Sequence, residues 1–241
     1  MPAWNAGAGA RLDAEVNDTT DSPVKIDVWS DVACPWCYIG KRRFEEGRRH
    51  FAAEGGTRPV ELEYHSFELA PDTPVDFEGS EVDFLVRWKQ LPEEQVRAMI
   101  EQVTAIAASV GLAYDFVALQ HTNTRKAHEV LHLARAEGAQ AELKERLLSA
   151  HFVEGRHIGH DDELAELAAD IGLDRRAVLA ALRAGTYAAA VDADVRQARE
   201  YGISGVPFFV LDGRYGVSGA QEPELFAAAL ARAASEDPPA P

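Results

Sequence analysis

The chain is predicted to be α/β, with a small sheet domain split in two by a large all-helical insertion. Three observations carry this. Residues 24–67 read strand, helix, strand; the next hundred and more carry helical periodicity; from Ile203 the hydrophobic period returns to two.

Each element has its own signature. From Val24 to Trp29 the run Val-Lys-Ile-Asp-Val-Trp alternates apolar and polar, as a half-buried strand does. Ser30-Asp31 break it. Tyr38, Ile39, Phe44 and Phe51 then form an apolar stripe at helical spacing up to about Ala53, and Gly55-Gly56 end it. Val60 to Phe67 alternates again. Pro71, Pro74 and Gly79 mark a loop. Helices are expected over 81–90, 93–110, 123–136, 139–154, 161–171, 174–184 and 187–201, punctuated by Pro92, Gly111, Gly138, Gly155, Gly172, Gly185 and Gly202. Asp161 and Asp174 are the expected N-caps. Phe208 to Leu211 and Tyr215 to Ser218 read as short strands joined at Asp212-Gly213, a hairpin dipeptide, and 222–234 as a closing helix. The expected organisation is a flexible tail (1–22), the first part of the sheet domain (23–78), the helical insertion (79–202), the second part of the sheet domain (203–234) and a Pro-rich tail (235–241).

Composition narrows the function. At 46% hydrophobic residues the chain can build a core, which excludes disorder throughout. A net charge of -16 repels phosphate backbones and argues against a nucleic-acid partner. No run approaches the ~18 apolar residues of a membrane span. The first residues lack the basic start and apolar run of a secretory signal, so no membrane and a cytoplasmic address are expected. The sequence leaves the oligomeric state open.

The chemistry concentrates in two places. The chain has 2 cysteines, both in Cys34-Pro35-Trp36-Cys37, directly after the first strand and at the start of a helix. A disulfide this short constrains almost nothing, which leaves redox chemistry or metal binding. A helix N-terminus favours an anion, so the Cys34 thiol is expected to be acidic, exposed and the attacking group. Cys37, one turn deeper, is the expected resolving thiol. Pro35 and Trp36 are expected at the substrate surface, with Trp36 exposed and Trp29 in the core. Far along the chain, Gly205-Val206-Pro207-Phe208 places an X-Pro bond at the mouth of a strand, a candidate cis peptide. Proline lacks an N–H and ends the ladder there, which would leave Val206 backbone groups for an extended substrate. Gly219 is expected to serve a turn.

These residues resemble a known family. Cys34-Pro35-Trp36-Cys37-Tyr38-Ile39-Gly40, Gly205 to Val210, Val217 to Gln221, Asn123 to His128 and Phe152 to Gly155 are similar to the DsbA-like thioredoxin family, and most of all to its cytosolic FrnE-type members. The likeness runs from about residue 24 to 232. It implies a thioredoxin-like fold whose helical insertion covers the site. It also implies Cys34 as nucleophile, a cis Pro207 beside the disulfide, and dithiol–disulfide exchange on a protein or small-molecule thiol substrate. The Cys34–Cys37 disulfide is then the redox centre itself. No cofactor is required, with glutathione open as a co-substrate.

Three other readings stand beside it. Glutathione-dependent 2-hydroxychromene-2-carboxylate isomerases and kappa-class transferases share the insertion, but typically place serine where Cys34 stands. A chaperone-like binding module would use the groove between the two parts. His128-Glu129-Val130-Leu131-His132 fits H-E-x-x-H, a zinc protease signature, with Glu154, His157 or His160 as possible third ligands. Arg135 stands where the extended form of that motif needs glycine, so the expectation is no metal.

Overall fold

The computed structural model describes residues 22–236, and the expected tails at 1–21 and 237–241 lie outside the described residues. Four strands, β1 (Val24–Ser30), β2 (Val60–Ser66), β3 (Phe208–Leu211) and β4 (Tyr215–Ser218), form one sheet in the order β2-β1-β3-β4. β1 and β2 run parallel; the other pairs are antiparallel. α1 (Pro35–Ala53) joins β1 to β2, and α9 (Pro223–Ala234) follows β4. Between β2 and β3 lie α2 (Glu81–Lys89), α3 (Glu93–Ser109), α4 (Arg125–Ala136), α5 (Gln140–Phe152), α6 (Asp161–Ala169), α7 (Arg175–Ala184) and α8 (Ala188–Glu200).

Alternation along β1 explains the layers. Val24, Ile26 and Val28 are buried against Phe44 and Phe51 of α1 and Phe226 and Leu230 of α9. Trp29 points the other way and packs with Ala198 of α8, Ile203 and Val210. Each such large apolar side chain is worth about 1.5–3 kcal/mol when fully buried. A separate core holds α4–α7 together through Val130, Leu131, Leu143, Leu147, Leu164 and Val178. The hairpin turns through the three residues between Leu211 and Tyr215, with Asp212 (φ 48) and Gly213 (φ 65) left-handed and Arg214 N–H donating to the Leu211 carbonyl at 2.9 Å. Asp174 caps α7 by accepting from Arg176 and Ala177 N–H.

Local details depart from the sequence reading. His160, not Asp161, is the N-cap of α6, and the Asp161 carboxylate instead takes the Lys126 ammonium at 2.5 Å. Ser235, placed in the C-terminal tail by sequence, caps α9, and Glu236 accepts from the Tyr215 hydroxyl at 2.5 Å.

A polar cluster ties the insertion to the sheet. Asp194 of α8 accepts from Ser66 N–H (2.7 Å) and lies 3.0 Å from both His65 Nδ1 and His132 Nε2. Burial opposes charge on His65, but its bonds to Asp194 and Asp27 outweigh this and push its pKa up to about 9. His128 faces elsewhere, with Nε2 3.3 Å from Asp31. The two histidines of the H-E-x-x-H run thus serve two different carboxylates.

His151 of α5 is buried, with Nδ1 lacking a hydrogen-bond partner. Burial, with a smaller contribution from His121, pulls its pKa down to about 3. The unfolded chain therefore binds this proton first, near pH 6.5, and stability falls as pH drops from there toward 3. Urea unfolding from pH 7 to 4 should show the parent losing up to about 1.4 kcal/mol per pH unit relative to His151→Gln. Parallel profiles would refute the assignment.

Candidate active site

The site assembles where β1 ends. Asp31, buried at 2% exposure, organises the turn that follows. Its carboxylate accepts from Ala33 N–H (3.3 Å) and Leu69 N–H (2.9 Å) and meets His128. Burial works against its charge; His128 and the backbone donors overcome it and hold the pKa at about 2. Cys34 then occupies the N-cap of α1 in extended backbone, Pro35 opens the helix, and Cys37 N–H donates to the Cys34 carbonyl at 3.0 Å. Tyr114 OH donates to the Pro35 carbonyl (2.7 Å) and fixes the motif from the insertion side.

The second half of the chain closes on this turn. The Val206–Pro207 bond is cis. Cys34 Sγ lies 3.6 Å from the Val206 carbonyl, so that oxygen already has a donor in the dithiol form. Gly219, at φ 83, donates its N–H to the Pro207 carbonyl (2.8 Å), which makes it part of the turn beside the cis bond. Gly40 permits the approach: a Cβ there would stand 2.8 Å from Pro207 Cγ.

Two expectations need correction. Both thiols are buried at 3% exposure, including Cys34, because the insertion and the Val206 loop roof the turn. Cys34 is reached instead through a cavity of about 320 Å³ that it lines together with Trp36, Phe84, Trp88, Met99 and Phe116; Cys37 does not line it. Trp36 is 39% exposed at its rim, and Trp29 is in the core, each as read from sequence.

The second correction concerns charge. Burial would raise both thiols. For Cys37 this is outweighed by a bond from Cys34, by Lys144, and by Ser30 and the Asp31 backbone, so its thiol titrates below the ordinary value. Cys34, the donor in that pair, buried and close to Asp31, titrates well above it. The bond from Cys34, with Lys144 behind it, thus favours negative charge on Cys37 over Cys34.

Lys144 is the group that sequence reasoning missed. It comes from α5 of the insertion, is 1% exposed, and its Nζ has no hydrogen-bond partner. Burial pulls its pKa down to about 8, opposed by the nearby thiols and Asp31. No sequence signal marked it, since a lysine between leucines on an amphipathic helix reads as solvent-facing. Asp31 had passed only as a strand terminator. Of the matched motifs, Asn123 donates to the Pro71 carbonyl (2.8 Å) and Phe152 packs with Tyr38 and Tyr114 beneath the active-site helix.

A cysteine pair at a helix start, facing a cis-proline loop across a four-stranded sheet, defines a thioredoxin-like protein with a helical insertion. Residues 25–231 match the DSBA-like thioredoxin domain family, and the chain belongs to it. A probable DsbA oxidoreductase from Streptomyces coelicolor is 40% identical and superposes with a TM-score of 0.80, covering 90% of this chain and 93% of that one. The uncharacterized protein YwbO of Bacillus subtilis (strain 168) is 29% identical over 210 residues, 86% of this chain and 96% of its own. A 2-hydroxychromene-2-carboxylate isomerase, 19% identical with a TM-score of 0.65, covers 86% of this chain and 95% of its own, and shares the fold. None of the described helices is long and apolar enough to cross a membrane.

Two variants test this geometry. Gly40→Ala drives a methyl group into Pro207 and should cost about 1–3 kcal/mol in chemical denaturation; an unchanged midpoint would show that the helix can slide away. Lys144→Met removes a buried amine that lies over the Tyr64 ring (5.6 Å) but has no hydrogen-bond partner, so it should leave stability at pH 7 unchanged or higher. It should also move the first thiol ionisation, read as thiolate absorbance against pH, upward. A thiol titration identical to the parent's would remove Lys144 from the site.

Proposed function

We propose that the protein is a thiol–disulfide oxidoreductase in which Cys34 is the nucleophile and Cys37 the resolving thiol. The FrnE-type assignment within the family is part of this proposal. The observation that carries it is positional: Cys34 alone of the two sulfurs lines the cavity, while Cys37 and Lys144 lie behind it. Access, rather than resting thiolate character, selects the attacking group.

The chemistry balances as follows. Cys37 thiolate takes the Cys34 proton, and the Cys34 thiolate attacks one sulfur of a substrate disulfide. The substrate's other sulfur leaves as a thiolate. With the Cys34 proton gone, the Val206 carbonyl 3.6 Å away is left to accept from a substrate N–H. The departing substrate thiolate takes the Cys37 proton, and Cys37 attacks Cys34 Sγ. The second substrate thiolate departs and is protonated by the Lys144 ammonium or by solvent, so one proton comes from the cysteine pair and one from that donor. The reverse sequence oxidises a dithiol. Pro35 and Trp36 border the incoming chain, and Pro207 holds it edge-on to the sulfurs.

Glutathione enters this scheme as a small co-substrate, and no bound cofactor is needed. Position 34 is cysteine, not the serine that glutathione-dependent isomerases and transferases of this architecture typically place there.

Equilibration in a glutathione redox series, read by thiol alkylation, tests the proposal. A reversible two-electron transition is expected. It should vanish in Cys34→Ser, while Cys37→Ser should accumulate mixed disulfides. Turnover persisting in Cys34→Ser would refute the mechanism. A glutathione adduct alone would point to a glutathione-dependent transferase or isomerase, and binding that survives loss of both thiols to a non-enzymatic module.

A further inference from the structure

Away from the thiols, on the sheet face that carries Trp29, three ligating side chains converge. Asp27 of β1 stands directly opposite Glu63 of β2 in the parallel register, and His65 follows two residues on. One carboxylate oxygen from each acid and a His65 nitrogen lie within 4.8 Å of one another. Like charges directly opposed across strands repel, and here the His65 ring and the Arg135 guanidinium face the two acids.

His65 is held as a ligand must be. Its ring stacks on Trp29 at 4.5 Å, with 18° between planes. Nδ1 lies 3.0 Å from Asp194, itself fixed by Ser66 N–H and His132. That leaves Nε2 aimed at the acids, 2.9 Å from Asp27 and 3.5 Å from Glu63. A buried carboxylate on one ring nitrogen, orienting the other, is the outer-shell arrangement that metal-binding histidines use.

We infer that Asp27, Glu63 and His65 bind a divalent ion of the Zn2+ class, with Asp194 as the outer-shell carboxylate that positions His65. One imidazole and two carboxylates form a mixed nitrogen and oxygen donor set, suited to borderline first-row ions. The ion takes the place of the Nε2 proton, and solvent fills the remaining positions, since Asp27 and Glu63 are about one-third exposed. The competitor is Arg135, whose guanidinium reaches Glu63 at 2.5 Å; its side chain is 50% exposed and free to swing out. A bound ion would pin β1 to β2 and, through Asp194, the sheet to α8.

The trio of Asp76, His157 and His160 makes a poorer site. There His157 Nδ1 accepts from Gly159 N–H and Nε2 lies 3.1 Å from the Val75 carbonyl, so binding through Nε2 would set an Nδ1 proton against the Gly159 N–H.

The test is calorimetric titration of zinc chloride into the full chain carrying Cys34→Ser and Cys37→Ser, which removes the thiols as ligands. One strong site per chain is expected, with a rise in melting temperature. Asp27→Asn and Asp194→Asn should each weaken binding at least tenfold. Arg135→Ala should tighten it, the opposite of what a simple ion-pair cluster gives. His65→Gln should abolish it; should that variant fail to fold, the Asp27 and Arg135 variants decide. No binding by the parent, affinity indifferent to Asp27→Asn, or loss only in His160→Asn would overturn the assignment.

Discussion

The approach of the active-site helix to the proline loop is the constraint on which the rest depends. Gly40 and Pro207 lie far apart in sequence, yet a single Cβ would not fit between them. That contact fixes the height of α1 against β3, and with it the distance from Cys34 Sγ to the Val206 carbonyl. Everything reactive is measured from there. The sheet supplies the platform, but the missing side chain at position 40 sets the spacing.

The insertion is part of the active site rather than an appendage. It contributes Tyr114, which holds the Pro35 carbonyl, and His128, which holds Asp31. It also supplies Lys144 beside Cys37 and the aromatic wall of the cavity. Burial makes these contributions strong, because charge in a dry interior is poorly screened. A buried lysine without a hydrogen-bond partner costs stability in such a place. Beneath the two thiols its charge is coupled to theirs and to Asp31.

Electrostatics divides the two halves of the junction. Near the thiols, a lysine and an aspartate share a buried space with two ionisable sulfurs, and each shifts the ionisation of the others. On the opposite side of Trp29, Asp194 gathers Ser66, His65 and His132 into a cluster that binds the α8 helix to the sheet. The H-E-x-x-H run dissolves into these two places: His128 belongs to the first, His132 to the second.

By itself the sequence determined the α/β class, the strand and helix order, the insertion between β2 and β3 and the pairing of the C-P-W-C motif with a distant proline. The first three rest on local periodicity and on glycine and proline punctuation; the last is what the family resemblance of those motifs implies. Tertiary structure alone decided the burial of Cys34, the place of Lys144, the role of Asp31, the need for glycine at 40 and the separate partners of His128 and His132. Each depends on groups from different elements meeting in three dimensions. An amphipathic pattern tells which face of a helix is buried, but not which charge it carries into which cavity.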